Sequence, residues 1–390
     1  NPRVVKEYET LVECGYNVKV VYTFSAQWSY EIDQKKFQTG ELKKQDFIEA
    51  GGNPYTAKLY YLFSRAFFRL MYWSMKVIPF SFIKEMAVAR PALALWVRSR
   101  QIDADIYMAH YVGALPGAVR AAKKHAAVFS FDAEDFHRGE PVYYATQKEH
   151  VSYVEGKCLP HAVFISAASP LIAAGYQELF PGKKVITLNN VFSKKFLQKP
   201  SASNNNGLSI FWFSQNIGPN RGLETAIEAM NIAGGDVSLY LLGNTRNQEY
   251  YQALLAKSKA PEKIHVIAPV PPEEVFEIAA KFDIGLASEM PLSVNRDICL
   301  TNKIFTYLLA GNCVLVSDTA AQKAFMEQYP GVGLLYKADD ANCLAGHIKK
   351  LAGDRQLLAA YKAAALRTSS GELNWEAEQE KLKAAISAAI

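Results

Sequence analysis

Short runs of apolar residues recur along the whole chain, and a stretch with helical spacing follows each of them. The runs do not alternate between apolar and polar residues, which is typical of parallel strands buried on both faces. They predict strands at 17–23, 105–111, 127–133, 162–167, 185–189, 208–214, 237–243, 264–268, 283–288, 313–318 and 332–336. This strand–helix alternation predicts an α/β fold with two doubly wound, Rossmann-like domains.

A polar segment at 193–207 separates the two halves of this pattern and has little that could enter a core. Such a segment is interpreted as a linker. It divides a first domain at 1–192 from a second domain at 208–370, and a helix at 371–390 closes the chain.

The chain opens with Asn1 and Pro2, which predict a helix N-cap and a proline at the first helical position. A doubly wound domain normally begins with a strand rather than a helix. We therefore expect the first strand of the N-terminal domain to be missing from the numbered chain.

The composition is that of a folded protein, with 50% hydrophobic and 21% charged residues among 390. No apolar run reaches the roughly 18–20 residues that a membrane-spanning helix needs. Five cysteines lie far apart and form no CxxC pair, which argues against a zinc site and a disulfide framework. We therefore expect a cytoplasmic protein.

The net charge of +5 is concentrated in one segment, 53–100, which has eight basic residues and the single acid Glu85. One predicted helical face there carries Leu59, Leu62, Phe63, Ala66, Leu70 and Trp73, and another carries Lys58, Arg65, Arg69 and Lys76. One interpretation is a surface at 55–100 that docks on anionic lipid. The alternative is a helical hairpin packed on its own domain. Because no nucleic-acid recognition motif accompanies the charge, no nucleic-acid partner is expected.

In open parallel sheets, ligands bind beyond the carboxyl ends of the strands. After the strand at 208–214, a turn with Gly218 leads to a helix that we expect Asn220 to cap, with Arg221 as its first residue. After a later strand, Lys303 lies in the first turn of another short helix. A cation is unfavourable at a helix N-terminus unless an anion binds there. The pair therefore indicates a diphosphate site, the alternative being solvated side chains.

Carboxylates and histidines follow other strands. Glu289 follows the strand at 283–288, where it could bind sugar hydroxyls or stabilise a developing positive charge. The alternative is an exposed acid without a role.

In the first half, His110 ends one strand, and Asp132, Glu134 and Asp135 end the next. These residues suit hydroxyl recognition or acceptor activation, although a structural role for His110 is an open alternative. They do not cluster at a metal-ligand spacing on one element, so no metal is expected.

Several of these segments resemble the retaining GT-B glycosyltransferases of the broad group 1, family 4-like class. The residues at 302–311 (NKIFTYLLAG) are similar to that family's N-K-x-F-E-Y-L-x-A-G helix. The segments at 105–116, 132–135 and 241–244 also resemble family motifs. The resemblance implies two domains that face each other across a cleft, with the donor nucleotide sugar on the second domain and the acceptor on the first.

The resemblance also implies roles for individual residues. Arg221, Lys303 and Gly218 would hold the donor diphosphate without a metal or other cofactor, and Gly243, Asn244, Asn302 and Thr306 would bind the donor nucleotide or sugar. Glu289 and His110 would be the catalytic residues that contact the donor sugar. Asp132, Glu134 and Asp135 would lie on the acceptor side.

One position departs from the family pattern. Thr306 stands where the family has a second glutamate, and Asp297 has that glutamate's spacing but precedes the helix. We expect a hexosyltransferase that builds a surface polysaccharide or glycolipid at the inner face of the plasma membrane. The alternatives are a nucleotide-sugar epimerase and a non-catalytic relative that binds nucleotide sugars.

Overall fold

The computed structural model describes residues 1–24, 27–141, 147–199 and 207–390. These residues form two compact units, Asn1–Leu188 together with Lys381–Ile390, and Asn189–Glu380. Part of the predicted linker, 200–206, lies outside the described residues.

The described residues of the first unit form six strands in two parallel sheets. The strands are β1 (Val20–Thr23), β2 (Phe47–Ala50), β3 (Ile106–His110), β4 (Val128–Ala133), β5 (Phe164–Ala167) and β6 (Lys184–Thr187). β1 pairs with β2, and the other four form a sheet in the order β3-β4-β5-β6. The sequence pattern missed β2, because this four-residue strand contains Glu49 and follows a polar run.

The helices of the first unit are α1 (Pro2–Glu13), α2 (Gln27–Thr39), α3 (Lys58–Ser74), α4 (Ser81–Met86), α5 (Ala92–Ser99), α6 (Leu115–His125), α7 (Gln147–Cys158) and α8 (Pro170–Leu179). The predicted start of α1 is confirmed, since the Asn1 side chain accepts a hydrogen bond from the Arg3 backbone N–H. A strand before Asn1 stays a prediction.

The segment at 53–100 corrects one interpretation of the sequence. It forms helices α3, α4 and α5, but α3 buries only Ser64. Its predicted apolar face is exposed, with Leu59 85% and Trp73 65% accessible. The apolar face of α3 therefore does not pack on its own domain, although another side of the helix does, through the buried Ser64 hydroxyl.

In the second unit, residues 189–199 and 207–380 form one six-stranded parallel sheet. Its strands are β7 (Leu208–Asn216), β8 (Val237–Asn244), β9 (Ile264–Ile267), β10 (Ile284–Ala287), β11 (Cys313–Ser317) and β12 (Gly333–Tyr336), as the sequence predicts. The strand order is β12-β11-β10-β7-β8-β9. The order of strands reverses between β7 and β10, and in doubly wound sheets ligands bind at that switch point.

The remaining helices are α9 (Leu223–Ala233), α10 (Gln248–Ala256), α11 (Val275–Ala279), α12 (Val294–Ile298), α13 (Asn302–Ala310), α14 (Ala320–Gln328), α15 (Ala341–Gly353), α16 (Arg355–Gly371) and α17 (Trp375–Ser387). The core of this unit lies between the sheet and helices α9 and α15. None of the described helices combines the length and the apolar character needed to cross a membrane.

Candidate functional site

The turn between β7 and α9 packs against the end of β10. Gly222 has φ +69°, and a Cβ on it would lie 2.8 Å from the Cβ of Ser288. The Ser288 hydroxyl donates a hydrogen bond to the backbone carbonyl of Arg221 at 2.7 Å. Gly222 therefore allows an approach that brings Arg221 to the switch point of the sheet.

The start of α9 differs from the prediction. The helix begins at Leu223 with Gly222 as its N-cap, and Asn220 lies outside it with φ +60°. Arg221 is thus a turn residue before the helix rather than its first residue. Gly218, earlier in the same turn, has no heavy atom within 4 Å of where a Cβ would lie, so the backbone there is open to a ligand.

Glu289 follows β10 and is buried, with 5% of its surface exposed. Its backbone carbonyl accepts a hydrogen bond from the Ser317 hydroxyl at 2.6 Å. One carboxylate oxygen accepts hydrogen bonds from Lys303 and, at 3.3 Å, from Thr301. Glu289 is therefore not an exposed acid, and its role in binding stays a prediction.

Burial disfavours the charged form of Glu289, but the cations around it outweigh burial. Lys303 makes the strongest contribution, followed by Arg296 and Arg221, and together they hold the pKa of Glu289 below its ordinary value. The carboxylate is thus ionised within a positively charged environment.

Lys303 lies in the first turn of α13, as the sequence predicts. Asn302 beside it is exposed. Thr306, one turn further, is buried, and its hydroxyl donates to the Asn302 carbonyl at 3.1 Å. The hydroxyl proton is therefore used inside the helix, and binding of the donor nucleotide or sugar by Thr306 stays a prediction.

Gly243 and Asn244 shape the neighbouring strand ends. A Cβ on Gly243 would lie 2.6 Å from the carbonyl oxygen of Ser214, so glycine permits the close approach of β8 to β7. The Asn244 side chain donates to the Gln215 backbone carbonyl at 3.1 Å, and the Asn244 backbone carbonyl accepts from the Ile217 N–H at 2.9 Å. In this structure both residues support the β7–α9 turn.

Sequence reasoning missed Arg296, a third cation beside Glu289. Its guanidinium lies 3.6 Å from the second carboxylate oxygen of Glu289. It belongs to the short helix α12, which Ser293 caps by accepting from the Arg296 N–H at 3.2 Å. The available signal was this serine cap in the segment between β10 and α13.

Asp297 is engaged elsewhere. Its carboxylate accepts a hydrogen bond from the Ala320 N–H at 2.9 Å, at the start of α14. The contact anchors α12 and leaves Arg296 against Glu289. The switch point therefore gathers three cations, Arg221, Arg296 and Lys303, around one carboxylate, an excess of positive charge that suits an anionic ligand.

In the first unit, His110 lies among three carboxylates. Its Nε2 is 3.2 Å from Glu7, and its Nδ1 is 3.3 Å from Asp132 and 3.5 Å from Glu134. Burial lowers the pKa of His110, but these acids, Glu7 foremost, raise it well above its ordinary value. His110 is therefore held as an imidazolium within ion-pair distance of three acids, and in that form it cannot accept a proton.

Asp132 forms a buried ion pair with Arg3 of α1. The guanidinium donates to both carboxylate oxygens, at 2.6 and 2.7 Å, and also to the Leu188 carbonyl at 2.8 Å. The Ser166 hydroxyl donates to the same carboxylate. Because Asp132 is fully buried with both oxygens engaged, its predicted contact with an acceptor does not fit this structure. It positions Arg3 and His110 instead.

Glu134 and Asp135 are partly exposed, unlike Asp132. Glu134 accepts a hydrogen bond from the Asn1 side chain at 2.6 Å, and Asp135 accepts one from the Tyr111 hydroxyl at 3.1 Å. Tyr111 has φ +68°, a strained conformation for a residue with a side chain. The role of the two acids on the acceptor side stays a prediction.

Ligand atoms of Glu7, His110 and Asp132 lie within 4.8 Å of one another, a spacing that could hold a metal ion. However, the Arg3 guanidinium ion-pairs with Asp132 and lies 3.4 Å from Glu7. A divalent cation would have to displace this arginine and deprotonate the imidazolium, so the donor set fits an ion-pair network better than a metal.

No protein-family model matches the chain, and none of the curated proteins matches it. Solved structures do match. HepE from Anabaena in complex with UDP is 14% identical with a TM-score of 0.64, over 77% of this chain and 83% of that chain.

Two further structures extend this similarity. A glycosyltransferase from Rickettsia africae is 13% identical with a TM-score of 0.65, over 98% of this chain and 92% of that chain. Sucrose-phosphate synthase from Thermosynechococcus elongatus is 14% identical with a TM-score of 0.63, over 77% and 78%. The chain therefore has the two-domain, Rossmann-like fold of the GT-B glycosyltransferases.

Proposed function

We propose that this protein transfers a sugar from a nucleoside-diphosphate donor to a glycan or lipid-linked acceptor. The observation that carries the proposal is the buried Glu289 carboxylate, held ionised among Lys303, Arg296 and Arg221 at the switch point of the sheet. HepE, which shares the fold, was solved with UDP and with UDP-glucose, which supports a nucleoside diphosphate as the donor's leaving group.

Arg221 and Lys303 bind the diphosphate in this proposal. Three cations and one carboxylate leave an excess of two positive charges, which matches the charge of a bound diphosphate. The cations then stabilise the charge that develops on the leaving group, so transfer requires no metal.

Glu289 binds the donor sugar. When a phosphate draws the Lys303 ammonium away, Arg296 remains beside the second oxygen of Glu289 and keeps the carboxylate ionised. An ionised carboxylate can accept hydrogen bonds from sugar hydroxyls and stabilise an oxocarbenium-like transition state.

His110 contributes as a hydrogen-bond donor to a sugar hydroxyl rather than as a base, because its neighbouring acids keep it protonated. Because His110 does not take the acceptor's proton, the departing phosphate accepts it. The acceptor then approaches on the face of the sugar that the phosphate leaves, which is the reason for proposing retention. Glu134 and Asp135 bind acceptor hydroxyls.

The class of transfer is hexosyl, in the synthesis of a surface polysaccharide or glycolipid. The protein works in the cytoplasm as a peripheral protein at the inner face of the plasma membrane. The basic segment at 53–100 supports this placement.

The test is a thermal-shift panel with UDP-, GDP-, ADP-, dTDP- and CMP-sugars, each with and without EDTA. We expect one nucleotide series to raise the melting temperature of the wild type, by the same amount with and without EDTA. The same series should not raise the melting temperature of Lys303→Ala. The exposed Lys323→Ala in the same unit is the matched control. Stabilisation of Lys303→Ala equal to the wild type contradicts the diphosphate assignment.

The stabilising donor is then incubated with lipid extract or glycan acceptors, and products are identified by NMR. Transfer with the donor's anomeric configuration confirms the proposal. An altered sugar without an acceptor indicates an epimerase, and binding without turnover indicates a non-catalytic relative.

A further inference from the structure

Helix α3 exposes the apolar side of an amphipathic pattern. Leu59, Leu62, Phe63, Leu70 and Trp73 share one face, and all of them are exposed. The exposed apolar surface continues after the helix in Val77, Ile78 and Phe80. We call these eight side chains the apolar stripe. A helix that belongs only to its own domain would bury such a face.

The exposure is concentrated rather than scattered. Within the described residues, ten of the nineteen exposed large apolar side chains lie between Tyr55 and Phe80. Single exposed apolar residues are ordinary, but a contiguous patch of this kind marks an interaction surface. The stripe therefore requires a partner with an apolar phase or an apolar face.

A row of positive charge runs beside the stripe. Its members are Lys58, Arg65, Arg69 and Lys76, all of them exposed. The single acid of the segment, Glu85, is buried and ion-paired with Arg120 at 2.6 Å. No acidic side chain of 53–100 thus opposes the basic row, and the partner must be anionic as well as apolar.

An anionic lipid bilayer combines both properties. The 17 residues of α3 span roughly 25 Å at about 1.5 Å per residue, and the basic row prevents the helix from crossing the hydrocarbon. A helix of this composition lies in the plane of the headgroups, with its apolar side inward and its basic residues against lipid phosphates. The Lys76 ammonium lies 4.5 Å from the Trp73 ring centroid, which puts a cation beside an aromatic ring suited to that interface.

We infer that the apolar stripe and its basic row form a docking surface for an anionic bilayer, with α3 lying in the headgroup plane. The inference rests on the proposed function only in specifying where that transferase meets the membrane. Acceptors anchored in the same leaflet would then be delivered to the protein by diffusion in two dimensions.

The test is co-sedimentation of the full chain with vesicles of phosphatidylcholine, with and without phosphatidylglycerol. We expect binding only to the vesicles that contain phosphatidylglycerol, and weakening in high salt. Replacing Lys58, Arg65, Arg69 and Lys76 by Gln should weaken partitioning about fivefold per charge removed. Leu59→Ser/Leu70→Ser/Trp73→Ser should weaken it at least as strongly.

Leu179→Ser/Ile232→Ser/Val266→Ser is the matched control, because these apolar residues are exposed outside the stripe. The control should bind vesicles as the wild type does. Equal binding of the stripe variant and the wild type overturns the inference. So does a wild-type dimer that ignores vesicles and becomes monomeric in the stripe variant, which would identify a protein interface.

Vesicle binding is measured without a donor, and nucleotide-sugar binding is measured without vesicles. Loss of one with retention of the other therefore shows which of the two proposals has failed.

Discussion

Lys303 and Glu289 form an ion pair in which both side chains are largely buried. They come from different elements, the first turn of α13 and the loop after β10. The sequence indicates each residue as a candidate, but not that they pair. Under the proposed function, a donor diphosphate competes with Glu289 for the Lys303 ammonium. Donor binding and the freedom of the Glu289 carboxylate are thereby linked.

Removal of Lys303 should destabilise the fold as well as abolish donor binding. Lys303→Met leaves the buried carboxylate with weaker partners, and we expect the free energy of unfolding to fall by about 3 kcal/mol. Urea denaturation checks this. The double variant Glu289→Gln/Lys303→Met should recover most of the loss, because no buried charge is left unpaired. A double variant as unstable as Lys303→Met would refute the ion pair.

Arg296 should control the acid side of the activity profile. The depressed pKa of Glu289 keeps it ionised as the pH falls, and both its stabilising effect and activity are lost as the pH drops through that folded-state value. Arg296→Gln raises the pKa of Glu289, so the acid limb of kcat/KM should move to higher pH.

Arg296→Lys should restore the acid limb, since it returns the charge. The exposed Arg367→Gln is the matched control and should leave the profile unchanged. An Arg296→Gln profile that overlays the wild type would show that Arg296 does not control the ionisation of Glu289.

The protonation of His110 should depend on Glu7. In the folded state the pKa of His110 is raised, so its contribution to stability is complete below the unfolded-state pKa and is lost as the pH rises through the folded-state value. Glu7→Gln should lower the pKa of His110, as followed by the NMR shift of its imidazole. Glu13→Gln, an exposed change on the same helix, should not.

Substitution of Gly222 should weaken donor binding, whereas substitution of another glycine with positive φ should not. Gly222 and Gly234 have φ +69° and +62°, but only the Cβ of the first would strike Ser288, since Gly234 faces open space. Gly234→Ala should still destabilise the fold, because its ψ of −159° places it in a region that glycine alone adopts readily. Gly222→Ala should also destabilise the fold, and it alone should weaken donor binding by displacing Arg221. Thermal shifts with and without donor measure both effects, and equal donor responses would contradict this role of Gly222.

Local sequence patterns were sufficient to predict most strands and some of the candidate site residues. Unbroken apolar runs predict parallel strands because both faces of such strands are buried. Within the described residues, eleven of the twelve strands follow from such runs. The exception, β2, is too short and too polar for such a run. Lys303 was predictable because the N-cap Thr301 and the C-cap Gly311 mark the ends of its helix.

Relations between distant segments depended on the packing of the whole chain. Arg3 and Asp132 are 129 residues apart, and no local pattern predicts that they form a buried pair. Arg296 reaches Glu289 because Asp297 anchors α12 to α14. Periodicity shows which residues of α3 share a face, but it does not show what that face is turned towards. Whether that face points inward or outward depends on what packs against the helix, which only the folded chain supplies.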